Sequence, residues 1–207
     1  MSMNILYQDE YLVAVDKLPD LLSVPGKGPA NKDCVVSRLQ REFPTIRIVH
    51  RLDCATSGVM VLALDAETHR HLSRQFQERQ TVKRYIATIF GQPQQDSGSV
   101  DLPLRCDWEN RPKQMVDWDQ GKAALTHWQV VGRGDETCRV ELTPVTGRSH
   151  QLRVHMLALG HPIIGDRFYA SPDALALSDR LHLHAEYLQV THPNNGERLG
   201  FTACCPF

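Results

Sequence analysis

The six residues Val59-Met60-Val61-Leu62-Ala63-Leu64 are apolar without a break. A run this short, rich in β-branched and aliphatic side chains, reads as a buried strand rather than a helix. Whatever precedes such a strand sits at the end of a rigid element. Here that is His50-Arg51-Leu52-Asp53-Cys54-Ala55-Thr56-Ser57-Gly58, with one carboxylate, an arginine two positions before it, and a Thr-Ser-Gly turn. Loops held by rigid scaffolds are where catalytic side chains concentrate, so Asp53 is the first candidate for chemistry. The competing reading is a surface ion pair between Asp53 and Arg51.

With 207 residues the chain can build one sizeable core but not two ordinary domains and a linker. Apolar residues make up 42% and charged residues 23%, ordinary values for a soluble globular protein. No segment approaches the ~18 consecutive apolar residues of a membrane span, and Met1-Ser2-Met3-Asn4-Ile5-Leu6-Tyr7 lacks the pattern of a signal peptide. A cytoplasmic protein with no membrane partner is expected. The six cysteines form no Cys-x-x-Cys pair, which argues against a disulfide framework or thiolate zinc site. Net charge is −1, yet Arg38 to Arg84 holds nine basic residues against five acidic ones. A cationic face on a near-neutral chain suits a polyanion that must be released again.

Alternation and turn signals predict an opening hairpin (Ile5–Tyr7 with Tyr11–Val15), a Pro/Gly-rich loop, and helices over Cys34–Phe43 and Ala66–Gln80. Strands follow at Tyr85–Phe90, Leu125–Val131 and Cys138–Thr143, then a helix over Ser149–Leu159 and a late strand over Leu181–Thr191. The segment Asp96–Gly121 is polar and turn-rich. Strands dominate without regular βα alternation, which favours an α+β domain with a mostly antiparallel sheet.

Three further stretches stand in order after the His50–Gly58 segment: Lys83-Arg84-Tyr85-Ile86-Ala87, Thr146-Gly147-Arg148-Ser149-His150-Gln151-Leu152-Arg153-Val154-His155-Met156, and Gly160-His161-Pro162-Ile163-Ile164-Gly165-Asp166 with Leu183-His184-Ala185. In this set and this order the sequence resembles the RluA family of pseudouridine synthases over nearly its whole length. Two framework segments depart from the family pattern, Asp16-Lys17-Leu18-Pro19-Asp20 and Ala203-Cys204-Cys205-Pro206. The resemblance implies a single catalytic domain over residues 1–207, without an S4 domain, built on a large mostly antiparallel mixed sheet flanked by helices. The short chain, Asp101-Leu102-Pro103-Leu104 and the run from Cys106 to Gln114 are similar to the family type that modifies both 23S ribosomal RNA and the tRNA anticodon stem-loop.

That likeness assigns expected roles. Asp53 is the catalytic carboxylate, either nucleophile or stabiliser of positive charge at C1′. Arg148 is the cation that keeps it ionised, since a buried carboxylate without a partner tends to be neutralised. Tyr85 is a ring on which an everted uracil stacks, and Leu152 is the apolar floor beneath it. Arg51 fills the gap the flipped base leaves behind, with His50 and Arg153 as further substrate contacts and Arg79, Lys83 and Arg84 as phosphate contacts. The segment Trp108 to Lys113 is either an RNA contact or a packed surface loop. The reaction needs neither redox cofactor nor triphosphate, and the sequence has no Gly-x-Gly-x-x-Gly fingerprint or P-loop. No cofactor, no metal and no obligate protein partner is expected, and the chain is expected to be a monomer acting on RNA. Two rivals remain: a catalytically silent RNA-binding module of the same fold, and a metal hydrolase using pairs such as His150 with His155 or His182 with His184.

Overall fold

The computed structural model describes residues 3–207. The chain divides into two compact units, one running to Lys83 and resuming from His184 to Pro206, the other spanning Arg84–Leu183 with Phe207.

The first unit opens with β1 (Asn4–Gln8) and β2 (Leu12–Lys17), an antiparallel hairpin. Asp9 closes its turn, accepting the backbone N–H groups of Tyr11 and Leu12 at 2.7 and 2.8 Å. Helix α1 (Val35–Leu39) is capped by Cys34 and is shorter than expected. The chain continues in turns to Phe43, whose N–H donates to the Leu39 carbonyl at 2.8 Å, before Pro44. The two-residue strand β3 (Arg47–Ile48) leads into the loop His50–Thr56, and β4 (Ser57–Ala63) leads out of it. β4 is buried along its whole length, which is why its sequence is an unbroken apolar run. One edge of β4 pairs antiparallel with β2 from Gly58 to Ala63. Helix α2 (Ala66–Gln77) begins at Asp65, whose carboxylate accepts the N–H groups of Glu67 and Thr68. It ends early because Arg79 takes a left-handed φ of 59°.

The second unit begins within β5 (Val82–Phe90), followed by β6 (Ser97–Asp101), β7 (Leu104–Cys106), β8 (Gln114–Val116), β9 (Leu125–Arg133) and β10 (Thr137–Pro144). Strand β10 lies between β5 and β9, and β9 pairs onward with β6, all antiparallel. β7 and β8 form a separate hairpin. Three of these strands fall in the segment expected to be turn-rich, where three- to five-residue strands carrying polar side chains leave no periodic signal. Alternate β10 residues Cys138, Val140 and Leu142 are fully buried. Helices α3 (Gln151–Ala158) and α4 (Pro172–Ala176) complete the unit. The expected helix from Ser149 starts two residues later because His150 adopts a left-handed φ of 52°.

The chain then returns to the first unit with β11 (Leu183–Thr191) and β12 (Arg198–Thr202). His184 and Ala185 of β11 run parallel to Ser57 and Gly58 of β4, while β12 pairs antiparallel with β11. This parallel pairing makes an otherwise antiparallel strand set mixed, as expected for the α+β class. The unit's core packs Leu12, Val59, Val61, Leu188, Val190 and Phe201 beneath Leu72 and Phe76 of α2. Among the described residues no helix is long and apolar enough to cross a membrane, and the six cysteines are thiols outside any disulfide.

β4 and β11 approach so closely that a Cβ on Gly58 would lie 2.3 Å from the Ala185 carbonyl oxygen, and Gly58 has φ +114°. Gly58→Ala is therefore expected to destabilise the protein by about 3 kcal/mol, from the clash and the backbone strain together. A denaturant midpoint equal to that of the wild type would contradict this.

Candidate active site

In the first unit the loop His50–Thr56 is fixed at both ends by strand pairing, β3 on one side and β4 on the other. It is also fixed in the middle. Ser23 Oγ donates to the Leu52 carbonyl at 2.7 Å and accepts the Leu52 N–H at 3.2 Å. Lys17, with no exposed surface, donates from Nζ to the Cys54 carbonyl at 2.8 Å, and to the carbonyls of Leu18 and Leu21 at 2.8 and 2.7 Å. The Asp53 carbonyl accepts the Thr56 N–H at 3.1 Å and closes the turn. Asp53, half-buried, thus stands between two residues whose backbones are each tied to another part of the unit, while Arg51 is exposed.

The rest of the motif belongs to the scaffold. Ser57 Oγ and His184 Nδ1 are 2.8 Å apart, and His184 Nε2 lies 3.1 Å from the Ala203 carbonyl. A carbonyl only accepts, so the imidazole proton sits on Nε2 and Ser57 donates to Nδ1. This explains why the Thr-Ser-Gly turn and Leu183-His184-Ala185 belong to one signature. His50, expected to touch substrate, accepts the Val61 N–H on Nε2 at 3.0 Å and stacks on Phe76 with centroids 4.4 Å apart. Burial, reinforced by the Lys83 charge, pulls its pKa down to about 3. Its ring is part of the loop's support.

The second unit carries the other candidates. Tyr85 on β5 is half-buried and pairs across the sheet with Leu142, so the two side chains share a face. The turn before α3 is held by Gln151, which is buried and has its amide fully used. Its Oε1 accepts from Thr146 Oγ1 at 2.8 Å and from the Arg148 N–H at 3.0 Å. Its Nε2 donates to the Leu125 carbonyl and to Thr126 Oγ1, both at 3.0 Å. Arg148 itself is exposed, with Nε donating to the Ala123 carbonyl at 3.1 Å. Leu152 is buried on α3. Of the expected phosphate contacts, Arg84 stands 3.6 Å from Glu141, and Lys83 is pulled down to about 8 by burial and then by Arg79.

Arg153 needs a correction. Only 3% of it is exposed, and its guanidinium makes a two-pronged ion pair with Asp166 at 2.7 and 2.6 Å, over the rings of Phe168 and Tyr169. A buried arginine satisfied by a buried carboxylate is committed to the interior and cannot grip a phosphate outside it. His155, one half of the suggested metal pair, uses both ring nitrogens on Thr126 Oγ1 and the Leu102 carbonyl.

The structure thus gathers His50, Arg51 and Asp53 on one loop of the first unit, and Tyr85, Arg148 and Leu152 in the second. Sequence reasoning missed Lys17, Ser23, Gln151 and Tyr169. Gln151 lay inside a motif but drew attention only as part of a string, and Ser23 sits in a loop whose partner is 29 residues away. Tyr169 Oη accepts the Gln114 N–H and lies 2.7 Å from His150 Nδ1, linking the β7–β8 hairpin to the start of α3.

Known proteins resemble this chain closely. The sequence pattern of the family described as RNA pseudouridylate synthase matches residues 11–158. A protein of Escherichia coli K12 called dual-specificity RNA pseudouridine synthase RluA is 56% identical over 204 residues, covering 98% of this chain and 93% of that one. The protein of the same name from Haemophilus influenzae is 51% identical over 206 residues, covering 99% and 94%. Among solved structures, human RNA pseudouridylate synthase domain containing 1 superposes with a TM-score of 0.84 at 31% identity, covering 100% of this chain and 84% of that one. Human RNA pseudouridylate synthase domain containing 4 gives 0.78 at 29% identity, covering 98% and 88%.

The His50 arrangement has a consequence for pH. With a folded pKa near 3 against an ordinary value of 6.5, the unfolded chain takes up a proton that the folded chain refuses. Stability therefore falls as pH drops from 6.5 toward 3. His50→Gln, which keeps an acceptor for Val61, is expected to shallow the decline of the urea midpoint between pH 7 and 4. It does not abolish it, because burial also lowers His155 and His182. An unchanged slope would contradict the account.

Proposed function

Since this chain belongs to the RNA pseudouridylate synthase family, we propose that it isomerises particular uridines in both 23S ribosomal RNA and the tRNA anticodon stem-loop, with Asp53 as its catalytic carboxylate. The N1–C1′ glycosidic bond breaks, the uracil turns, and a C5–C1′ bond forms. The proton lost from C5 is balanced by one gained at N1, so nothing is oxidised or hydrolysed. The double specificity rests on the relatives that carry that name and match nearly end to end.

The observation that carries the assignment to Asp53 is the doubly anchored loop. A carboxylate that must meet a developing charge gains most when its geometry is set before substrate arrives. Leu52 and Cys54 are tied on either side of Asp53, which supplies that rigidity. A base in a stem or folded loop has to be everted, costing a few kcal/mol of unstacking. Arg51, exposed two residues before Asp53, is placed on the chain to fill the vacated space, because a guanidinium plane stacks on bases. In the second unit the family resemblance gives Tyr85 the role of a ring for the everted uracil, Leu152 that of an apolar floor, and Arg148 that of a cation. His50 serves as support for the loop.

Transcripts of rRNA and tRNA stem-loops carrying tritium at uridine C5 test this directly. The wild type is expected to release tritium from both, and Asp53→Asn to release none above background while binding RNA within a few-fold of wild type. Undiminished release by Asp53→Asn would overturn the assignment of Asp53. No release by the wild type would favour a silent RNA-binding module.

A further inference from the structure

Two of the three tryptophans are exposed: Trp108 in the loop joining β7 and β8, and Trp118 just after β8. Trp108 is 64% and Trp118 73% exposed, whereas Trp128 is buried. A large ring left in water beside a cation, on an ordered segment, is a surface on which a base can stack. The segment is ordered by its own bonds. Asp107 accepts from both nitrogens of Asn110, the Asp107 N–H donates to the Lys113 carbonyl at 3.0 Å, and the Lys113 N–H donates to the Asn110 carbonyl at 3.0 Å. Arg111 folds back over Trp108: its Nε donates to the Trp108 carbonyl at 2.9 Å, and its guanidinium carbon lies 4.9 Å from the indole centroid. The nearby Arg105 is spent on Asp117. The loop therefore presents an exposed indole backed by the Arg111 cation.

We propose that Trp108, backed by Arg111, is a stacking platform for an unpaired base of the substrate RNA other than the uridine that reacts. This rests on the RNA-modifying activity proposed above. Every base has a π-face and a phosphate beside it, so an aromatic ring next to a cation suits single-stranded RNA. The hairpin is anchored from behind. The Gln114 N–H of β8 donates to Tyr169 Oη, and that hydroxyl meets His150 Nδ1, both at 2.7 Å. His150 stands two residues after Arg148, so the hydroxyl ties the hairpin to the start of α3. A base held at Trp108 is thereby registered against the Thr146–Met156 signature of the same unit. The platform reads loop shape: it distinguishes RNA with an unpaired base at the right distance from RNA fully paired there.

The test uses full-length protein, a stem-loop transcript, and a fully paired duplex of the same length. Trp108→Ala is expected to raise the Kd and KM for the stem-loop about tenfold, leaving kcat at saturating RNA and the duplex affinity near wild type. Trp108→Phe keeps a ring and stays within about threefold, and both variants melt at the wild-type temperature because the side chain is exposed. Trp118→Ala serves as the surface control. Stem-loop affinity unchanged in Trp108→Ala, or equal loss for stem-loop and duplex, overturns the platform while wild-type turnover leaves the enzymatic reading standing. Self-association of the wild type that vanishes in Trp108→Ala, with RNA affinity intact, also overturns it and assigns the ring to contact with a second copy. Wild-type protein that binds but never releases tritium sinks the enzymatic reading instead.

Discussion

A lysine with no surface in water holds the loop on which everything else depends. Lys17 has three N–H donors and meets three backbone carbonyls, those of Leu18, Leu21 and Cys54. Burying an ammonium group without partners costs several kcal/mol, and each hydrogen bond from a charged donor returns about 1.5–3 kcal/mol. The three carbonyls therefore cannot drift from Nζ without a large penalty. One of them belongs to the residue after Asp53. On the other side of Asp53, Ser23 binds both backbone groups of Leu52. The strand set supplies the outer frame, since Lys17 lies opposite Gly58 in the β2–β4 register. A carboxylate proposed for catalysis gains from this kind of support, which sets its geometry before substrate arrives.

The second unit solves the same problem with an amide in place of an ammonium. Gln151 spends its two acceptor sites and two donors on Thr146, Arg148, Leu125 and Thr126. A buried amide left half-satisfied would be costly, so the turn bearing Arg148 has one favoured shape. From the same helix, Arg153 forms a buried ion pair with Asp166 of the following loop. Removing one partner of such a pair typically costs 3–5 kcal/mol. Long polar signatures in this chain are thus mostly internal carpentry, with a minority of side chains left to meet RNA.

Sequence reading located the elements that have strong periodicity and the motifs that have fixed spacing. β4 was legible because it is buried on both faces, and α2 because the apolar pair Leu72 and Phe76 marks one face of it. β6, β7 and β8 were not, because strands of three to five residues with polar outer faces carry no repeat. Asp53 and Tyr85 were singled out by the company they keep along the chain, and their roles stand as proposals. Arg153 was misjudged for a physical reason: an arginine in a basic, polar motif looks solvent-facing until its carboxylate partner, 13 residues away, is seen. Lys17 and Ser23 escaped because their partners are 37 and 29 residues distant and are backbone atoms, which leave no trace in residue identity.

The preorganised Asp53 loop is the central claim, and Ser23→Ala probes it most directly. That change removes one hydroxyl and leaves Asp53 and Lys17 in place. Single-turnover tritium release measured alongside RNA affinity and melting temperature should show the chemical step slowed about tenfold or more with affinity near wild type, as expected when positioning is lost, and Ser23→Thr should recover most of the rate. A Ser23→Ala enzyme that reacts at the wild-type rate would show that the loop needs no such anchor.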